Sequence, residues 1–307
     1  MSFLYLLEKI RFPGLNELML AVTRLGEETA FLVIALIFFW CVDKKKGYFI
    51  MAVGFLGTMA NQFLKLMCRI PRPWVLDENF TILEQAREAA DGYSFPSGHT
   101  QTAVGTFGAI AYCTEKRWLR ITAIVLAVLV GFSRMYIGVH TPADVLVGAA
   151  MALLLVFLLR PVTLDEKCGG MKILLGAMIV LAVAFTLYVE LFPFPVDIDP
   201  HNMESGYKNA YTLLGCVIGV TVVYVVDNKW LRFSEKAPLP GQIVKILLGL
   251  GVVLAVKEGL RSPLEAVFAG HMIARAVRYF LIVIAAGIVW PLTFPWFSKI
   301  GKKVKER

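Results

Sequence analysis

Charged residues are scarce in this sequence: only 18% of its 307 residues are Asp, Glu, Lys or Arg, which excludes an ordinary soluble domain. Cysteine is scarce as well, and the five residues present form no CxxC pair. That pattern favours buried, unpaired thiols over a disulfide framework or a zinc site. The first residues lack a basic stretch followed by an uninterrupted apolar core, so we do not expect a signal peptide there.

Apolar residues dominate instead, at 58% of the chain, with a mean hydropathy of +0.68. Apolar stretches long enough for a bilayer core of about 30 Å recur along the sequence. They cover 28–42, 47–66, 98–114, 118–135, 142–160, 171–192, 209–226, 242–257 and 277–297. The sequence therefore predicts an all-α, polytopic transmembrane helix bundle with about nine spans.

Three segments follow from this pattern. Charged residues interrupt 1–27, and Pro13 and Gly14 break it, so we predict an N-terminal helical segment that lies in the membrane interface. Residues 28–164 form a five-span core that carries every motif described below. Residues 165–307 form a C-terminal extension of four further spans.

The formal net charge of +8 raises the question of a nucleic-acid partner. The basic residues, however, cluster in alternate loops between the spans, without interleaved aromatic residues for base stacking. These clusters are Lys44, Lys45 and Lys46; Lys116, Arg117 and Arg120; Arg160, Lys167 and Lys172; Lys229, Arg232, Lys236 and Lys245; and Lys299, Lys302, Lys303, Lys305 and Arg307. By the positive-inside rule they face the cytoplasm, as does the C-terminus, and the motifs face outward. We expect an integral protein of a bacterial plasma membrane and no nucleic-acid partner.

Three separated motifs carry the candidate chemistry. They are Lys65-(six residues)-Arg72-Pro73, Pro96-Ser97-Gly98-His99 and Ser133-Arg134-(five residues)-His140-(three residues)-Asp144. Together they supply cations, a Ser-Gly helix start with a histidine, and a second histidine followed by a carboxylate. These groups suit phosphoryl transfer without a metal ion.

Each of the first two motifs also has a structural interpretation. Lys65 and Arg72 suit a phosphate grip, but they could equally extend to the lipid headgroups. Ser97 and Gly98 open a predicted helix whose N-terminus favours an anion, whereas Ser97 could simply cap that helix. His99 is costly in the first turn of a membrane helix unless it has a role or a hydrogen-bond partner.

The third motif is the most specific. Arg134 ends one span, and Thr141 with Pro142 opens the next in the usual cap and first-turn positions. Asp144 follows His140 by four residues, so its carboxylate can lie over the imidazole. A capping box between Asp144 and Thr141 is the structural alternative, and the two arrangements are compatible.

The ordered trio resembles the type 2 phosphatidic acid phosphatase family, whose pocket is shared with vanadium haloperoxidases, over roughly residues 28–160. The resemblance implies that His140 is the nucleophile that forms a phosphohistidine and that Asp144 orients it. His99 then resembles the general acid and base. The phosphate-binding residues implied are Lys65, Arg72, Ser97, Gly98 and Arg134. The resemblance implies no metal and no cofactor, and no carboxylate cluster suited to magnesium accompanies the motifs.

A pocket at the outer ends of membrane spans receives headgroups whose tails stay in the bilayer. We therefore expect a lipid phosphatase that hydrolyses a phosphate monoester or diphosphate. Phosphatidic acid, phosphatidylglycerophosphate, a sphingoid base phosphate and polyprenyl diphosphate all remain open as substrates. Two other functions also remain open: a vanadate-dependent haloperoxidase, and a lipid transporter or scramblase that retains a headgroup site.

Overall fold

The structure is a computed structural model that describes residues 1–87, 90, 92–165, 169–196 and 198–300. These residues form helices and loops, and no strand occurs among them. Lys167 and the four basic residues at 302, 303, 305 and 307 lie outside the described residues.

The described α-helices are numbered in chain order. They are α1 (Ser2–Lys9), α2 (Pro13–Thr23), α3 (Glu28–Ile37), α4 (Lys44–Cys68), α5 (Pro73–Leu76), α6 (Gly98–Cys113), α7 (Arg117–Tyr136), α8 (Pro142–Leu164), α9 (Gly170–Leu191), α10 (Pro200–Val226), α11 (Leu239–Gly259), α12 (Arg261–Val267), α13 (Ile273–Ile284) and α14 (Phe294–Phe297). Short 3-10 turns occur at Arg24–Gly26, Glu84–Ala86 and Trp290–Thr293, and π-helical turns at Phe38–Val42, Asp227–Leu231 and Ala285–Val289.

The all-α membrane bundle is confirmed, but the count of nine spans is not. Within the described ranges, seven helical stretches are long and apolar enough to cross a membrane, or eight if the bent pair Pro13–Gly26 and Glu28–Val42 forms one span. The predicted span at 98–114 is the 16-residue helix α6. At 1.5 Å per residue, α6 is about 24 Å long, which is shorter than the hydrocarbon core.

The described residues divide into two compact units. The first comprises Met1–Ile34, Phe49–Cys168 and Leu191–Gly206. Its centre is α6, which packs against α7 and α8 and buries most of its length, from Thr100 to Ala111. A close approach at Gly148 of α8 helps this packing, because a Cβ there would lie 2.7 Å from the Ser97 carbonyl oxygen. Small residues in α6 and α8 thus let the two helices that carry the second and third motifs come together.

The N-terminal helices belong to this first unit. Pro13 is the first residue of α2, so the predicted break between two helices is observed. Leu4 of α1 packs with Phe80 and Ile82, and Met19 of α2 packs with Tyr136 and its neighbours. The location of 1–27 in the membrane interface and the boundaries at 28 and 165 stay predictions.

The second unit comprises Ala35–Tyr48, Gly169–Glu190 and Tyr207–Arg307. Two of its lysines have acceptors within the unit. Lys44 forms an ion pair with Asp227 at 2.8 Å, and Lys245 donates from Nζ to the carbonyl oxygens of Trp40 (2.7 Å) and Glu235 (2.9 Å). These contacts satisfy two lysines of the predicted cytoplasmic clusters inside the protein, where an unpaired ammonium group would be costly.

Candidate active site

The two cations of the first motif are buried and aimed at loop carbonyl groups. Lys65, in the last turn of α4, donates from Nζ to the Tyr93 carbonyl oxygen at 2.6 Å. Arg72 donates from Nε to the Gly92 carbonyl oxygen at 3.0 Å and from Nη1 to the Val139 carbonyl oxygen at 3.1 Å. The exposed fractions are 5% for Lys65 and 6% for Arg72. Neither side chain extends outward in the way that a headgroup contact would require.

The second motif begins α6 and is tied to α8. Ser97 is the N-cap, and its hydroxyl accepts the Thr100 backbone N–H at 3.4 Å, so the capping interpretation of Ser97 is realised. Its backbone N–H donates to the Asp144 carbonyl oxygen at 3.0 Å. One turn before Lys65, Asn61 donates from Nδ2 to the Pro96 carbonyl oxygen at 3.3 Å. The turn that contains Ser97, Gly98 and His99 is therefore fixed by hydrogen bonds with both α4 and α8.

The third motif forms both arrangements that its spacing allows. Asp144 accepts the Thr141 backbone N–H at 2.7 Å through Oδ2, and the Thr141 hydroxyl accepts the Asp144 N–H at 3.3 Å, which completes a capping box. The same Oδ2 lies 3.5 Å from His140 Nδ1. It also accepts the Ser94 hydroxyl at 2.6 Å. One carboxylate oxygen thus caps α8 and faces the imidazole.

The contacts of His140 indicate which ring nitrogen carries the proton. Arg72 Nη1 lies 2.9 Å from His140 Nε2, and a guanidinium only donates, so Nε2 must present its lone pair. The proton is therefore assigned to Nδ1, which faces the Asp144 carboxylate. Burial lowers the pKa of His140 well below the ordinary histidine value, and the charges of Arg72, Arg134 and Lys65 lower it further. Both effects favour the neutral imidazole over the imidazolium.

Arg134 and His99 complete the site. The Arg134 side chain is 1% exposed and donates from Nη1 to the Thr23 hydroxyl at 2.8 Å. Among the described residues, Arg134 Nε and His99 Nε2 are buried without a hydrogen-bond partner. The positive charges of Arg134, Arg72 and Lys65 act on His99, so residues of all three motifs lie close together. Such unpartnered buried donors and acceptors are costly and are typical of a site that binds a polar ligand.

Three contact residues were not predicted from the sequence. They are Thr23, Asn61 and Ser94. Ser94 lies two residues before the second motif, so its position in the sequence could have marked it as a candidate site residue. Thr23 lies 111 positions from Arg134, and nothing local in the sequence marks it. Within the described ranges, no group of three or more His, Cys, Asp or Glu side chains could hold a metal ion.

Comparison with known families and proteins agrees with this geometry. A model described as PAP2 superfamily matches residues 45–167, which include every residue of the three motifs. Phosphatidylglycerophosphatase B of Bacillus subtilis (strain 168) is 34% identical over 171 residues, covering 52% of this chain and 79% of the relative. The chain belongs to the PAP2 superfamily. It is a membrane phosphatase of that superfamily, and hence a hydrolase.

Other matches cover different shares of the chain. Undecaprenyl-diphosphatase of Sulfolobus acidocaldarius is 31% identical, covering 44% of this chain and 64% of the relative. A probable sphingosine-1-phosphate phosphatase of Dictyostelium discoideum is 29% identical, covering 73% of this chain and 55% of the relative. A solved structure, the first transmembrane PAP2 type phosphatidylglycerolphosphate phosphatase from Bacillus subtilis, is 33% identical, with a TM-score of 0.45 over 54% of this chain and 84% of that chain.

The C-terminal part has a family match of its own. A model described as PAP2 superfamily phosphatase, transmembrane extension, matches residues 211–303. The last three predicted spans therefore fall in a recurrent addition to the PAP2 core, whereas the predicted span at 171–192 lies outside this match.

Proposed function

We propose that the protein is a lipid phosphatase that hydrolyses a phosphate monoester or diphosphate of a membrane lipid through a phosphohistidine intermediate. One observation carries the proposal: His140 directs the lone pair of Nε2 toward Arg72 and the proton of Nδ1 toward Asp144, amid three buried cations. That arrangement suits an in-line attack on a phosphorus atom whose oxygens are held by Lys65, Arg72 and Arg134.

In the first step, His140 Nε2 attacks the phosphorus of the terminal phosphate group. The new N–P bond forms as the P–O bond to the lipid breaks, and the leaving oxygen takes a proton from His99, which the bound phosphate anion keeps in its protonated form until this step. A phosphate oxygen replaces His140 Nε2 as the acceptor of the Arg72 N–H. Asp144 stabilises the positive charge that develops on the His140 ring.

In the second step, water attacks the phosphohistidine. His99, now neutral, accepts a proton from that water as the O–P bond forms and the N–P bond breaks. Inorganic phosphate leaves, and His140 is restored with its proton on Nδ1. The proton balance closes, because the proton that His99 gave to the lipid alcohol is regained from water.

The three cations supply the electrostatic stabilisation in both steps. Phosphoryl transfer places charge on the equatorial oxygens of phosphorus, and guanidinium and ammonium groups can stabilise that charge from positions held in advance. Lys65 and Arg72 donate to backbone carbonyl oxygens, and Arg134 donates to the Thr23 hydroxyl. The three cations are therefore held in position before a phosphate binds, and we propose that the reaction needs no metal ion.

The substrate class follows from the membrane setting. A phosphate pocket built at the ends of membrane helices receives a headgroup whose apolar tail stays in lipid. The basic loops favour an outward-facing site. The named activities of the relatives concern phosphatidylglycerophosphate, undecaprenyl diphosphate and sphingosine 1-phosphate, and all three fit this class.

A phosphate-release panel tests the proposal. Purified protein is assayed with phosphatidic acid, phosphatidylglycerophosphate, sphingosine 1-phosphate and polyprenyl diphosphate, with and without EDTA. We expect release from at least one lipid in EDTA, complete loss in His140→Ala, and parent activity in His201→Ala, a histidine outside the site. Activity retained by His140→Ala, or a requirement for an added divalent metal, would contradict the proposal.

The role of His99 is tested separately by comparing two substrates whose leaving groups differ in their need for a proton. Because p-nitrophenolate leaves without protonation, His99→Ala should lower kcat/KM, which reports the first step alone, far less for p-nitrophenyl phosphate than for a lipid phosphate, by about a hundredfold or more. Equal losses on both substrates would exclude His99 as the general acid.

A further inference from the structure

The N-terminal segment 1–26 reaches the catalytic site, although it precedes the residues that match the PAP2 family model. Thr23 is the last residue of α2, and Arg134 lies in the last turn of α7. The Thr23 hydroxyl accepts Arg134 Nη1–H at 2.8 Å, and the exposed fractions are 7% for Thr23 and 1% for Arg134. Both side chains are therefore shielded from solvent. A hydrogen bond from a charged donor is stronger than one between neutral groups.

This hydrogen bond sets the direction of the guanidinium group. A guanidinium is planar and its N–H groups have a rigid geometry, so holding one Nη nitrogen limits the directions in which the others point. Arg134 Nε is buried and has no acceptor among the described residues. Thr23 thus holds one edge of the group while another donor remains for a phosphate oxygen.

Two other contacts fix the segment against the same site. Gly26 approaches His99 so closely that a Cβ would lie 2.8 Å from the His99 carbonyl oxygen. Arg11 donates from Nε to the Tyr136 carbonyl oxygen at 3.0 Å and from Nη1 to the Thr81 carbonyl oxygen at 2.8 Å. Tyr136 ends α7, four residues before His140. The segment is therefore anchored next to His99 and next to the loop that leads to His140.

We propose that Thr23 is a positioning residue for Arg134, and that segment 1–26 forms one wall of the phosphate pocket. The inference rests on the proposed function in one respect, namely that Arg134 binds the substrate phosphate. Thr23 acts only through Arg134 and does not contact the substrate.

The test compares two substitutions at this position. Thr23→Val keeps the shape of the side chain and removes the acceptor, whereas Thr23→Ser keeps the hydroxyl. We expect Thr23→Val to lower kcat/KM about tenfold to a hundredfold, the range for one hydrogen bond to a charged group, and to weaken inhibition by orthovanadate in parallel. Thr23→Ser should recover most of both losses.

Thr163→Val is the matched control, because Thr163 is a buried threonine of the same unit whose hydroxyl donates to the Leu159 carbonyl oxygen. It should keep the parent kcat/KM.

A second measurement separates positioning from a general structural effect. On an Arg134→Ala background, Thr23→Val should change the residual kcat/KM less than twofold, because the group that it positions is gone. A loss there as large as in the parent, or equal losses in Thr23→Val and Thr23→Ser, would overturn the inference. Parent activity in Thr23→Val would also overturn it, provided that His140→Ala is inactive. If His140→Ala were active instead, the proposed function itself would fail.

Discussion

Replacing Asp144 with Asn tests the electrostatic role that the structure gives to this carboxylate. As His140 attacks phosphorus, its ring gains a positive charge 3.5 Å from Asp144 Oδ2. With an effective dielectric constant of about 20, unit charges at this distance attract by about 5 kcal/mol. Because 1.4 kcal/mol is a factor of about ten in rate, Asp144→Asn should lower kcat by about a few thousandfold.

The capping role of Asp144 predicts only a small effect of the same substitution on stability. An amide oxygen at the same place can still accept from the Thr141 N–H and the Ser94 hydroxyl, which now bond to Oδ2. Even complete loss of a cap costs only about 1 kcal/mol of stability. Asp144→Asn should therefore melt close to the parent temperature while being nearly inactive, whereas Asp144→Ala should also melt lower.

The assay is phosphate release from a short-chain lipid phosphate in detergent, together with thermal unfolding of the same samples. Rapid quenching with labelled substrate then shows whether the phosphohistidine forms more slowly. A kcat within tenfold of the parent, in a variant that melts normally, would refute the reasoning that Asp144 stabilises charge on His140.

Two further predictions concern pH and packing. Because the neutral ring attacks and burial lowers the pKa of His140, activity should persist as the pH falls below the ordinary histidine value of about 6.5. The acid limb of kcat/KM, corrected for titration of the substrate, should lie below that value, and a limb at or above it would contradict the assignment. Gly148→Ala places a Cβ 2.7 Å from the Ser97 carbonyl oxygen, so it should destabilise the protein by about 1–3 kcal/mol and lower its melting temperature. Gly176→Ala, which meets nothing within 4 Å, is the control and should melt at or above the parent temperature.

Local patterns were enough to predict the membrane helices and the three motifs. The first turn of α8 is an example, because Thr141, Pro142 and Asp144 form the cap, first turn and capping box that their spacing predicts. The count of nine spans was not confirmed, because α6 is too short for a span and is buried by protein, and the stretch at 28–42 forms only one arm of a bent helix pair. Hydropathy cannot distinguish burial in lipid from burial against neighbouring helices.

The sequence by itself determined that apolar helices span a membrane and that two histidines, a carboxylate and several cations accompany one another along the chain. Only the tertiary structure decided that Arg72 donates to His140 Nε2 and that Thr23 holds Arg134. The physical reason is the range of the interactions involved. Helix formation and capping depend on residues within a few positions, whereas hydrogen bonds across 68 or 111 positions exist only once packing has brought the helices together.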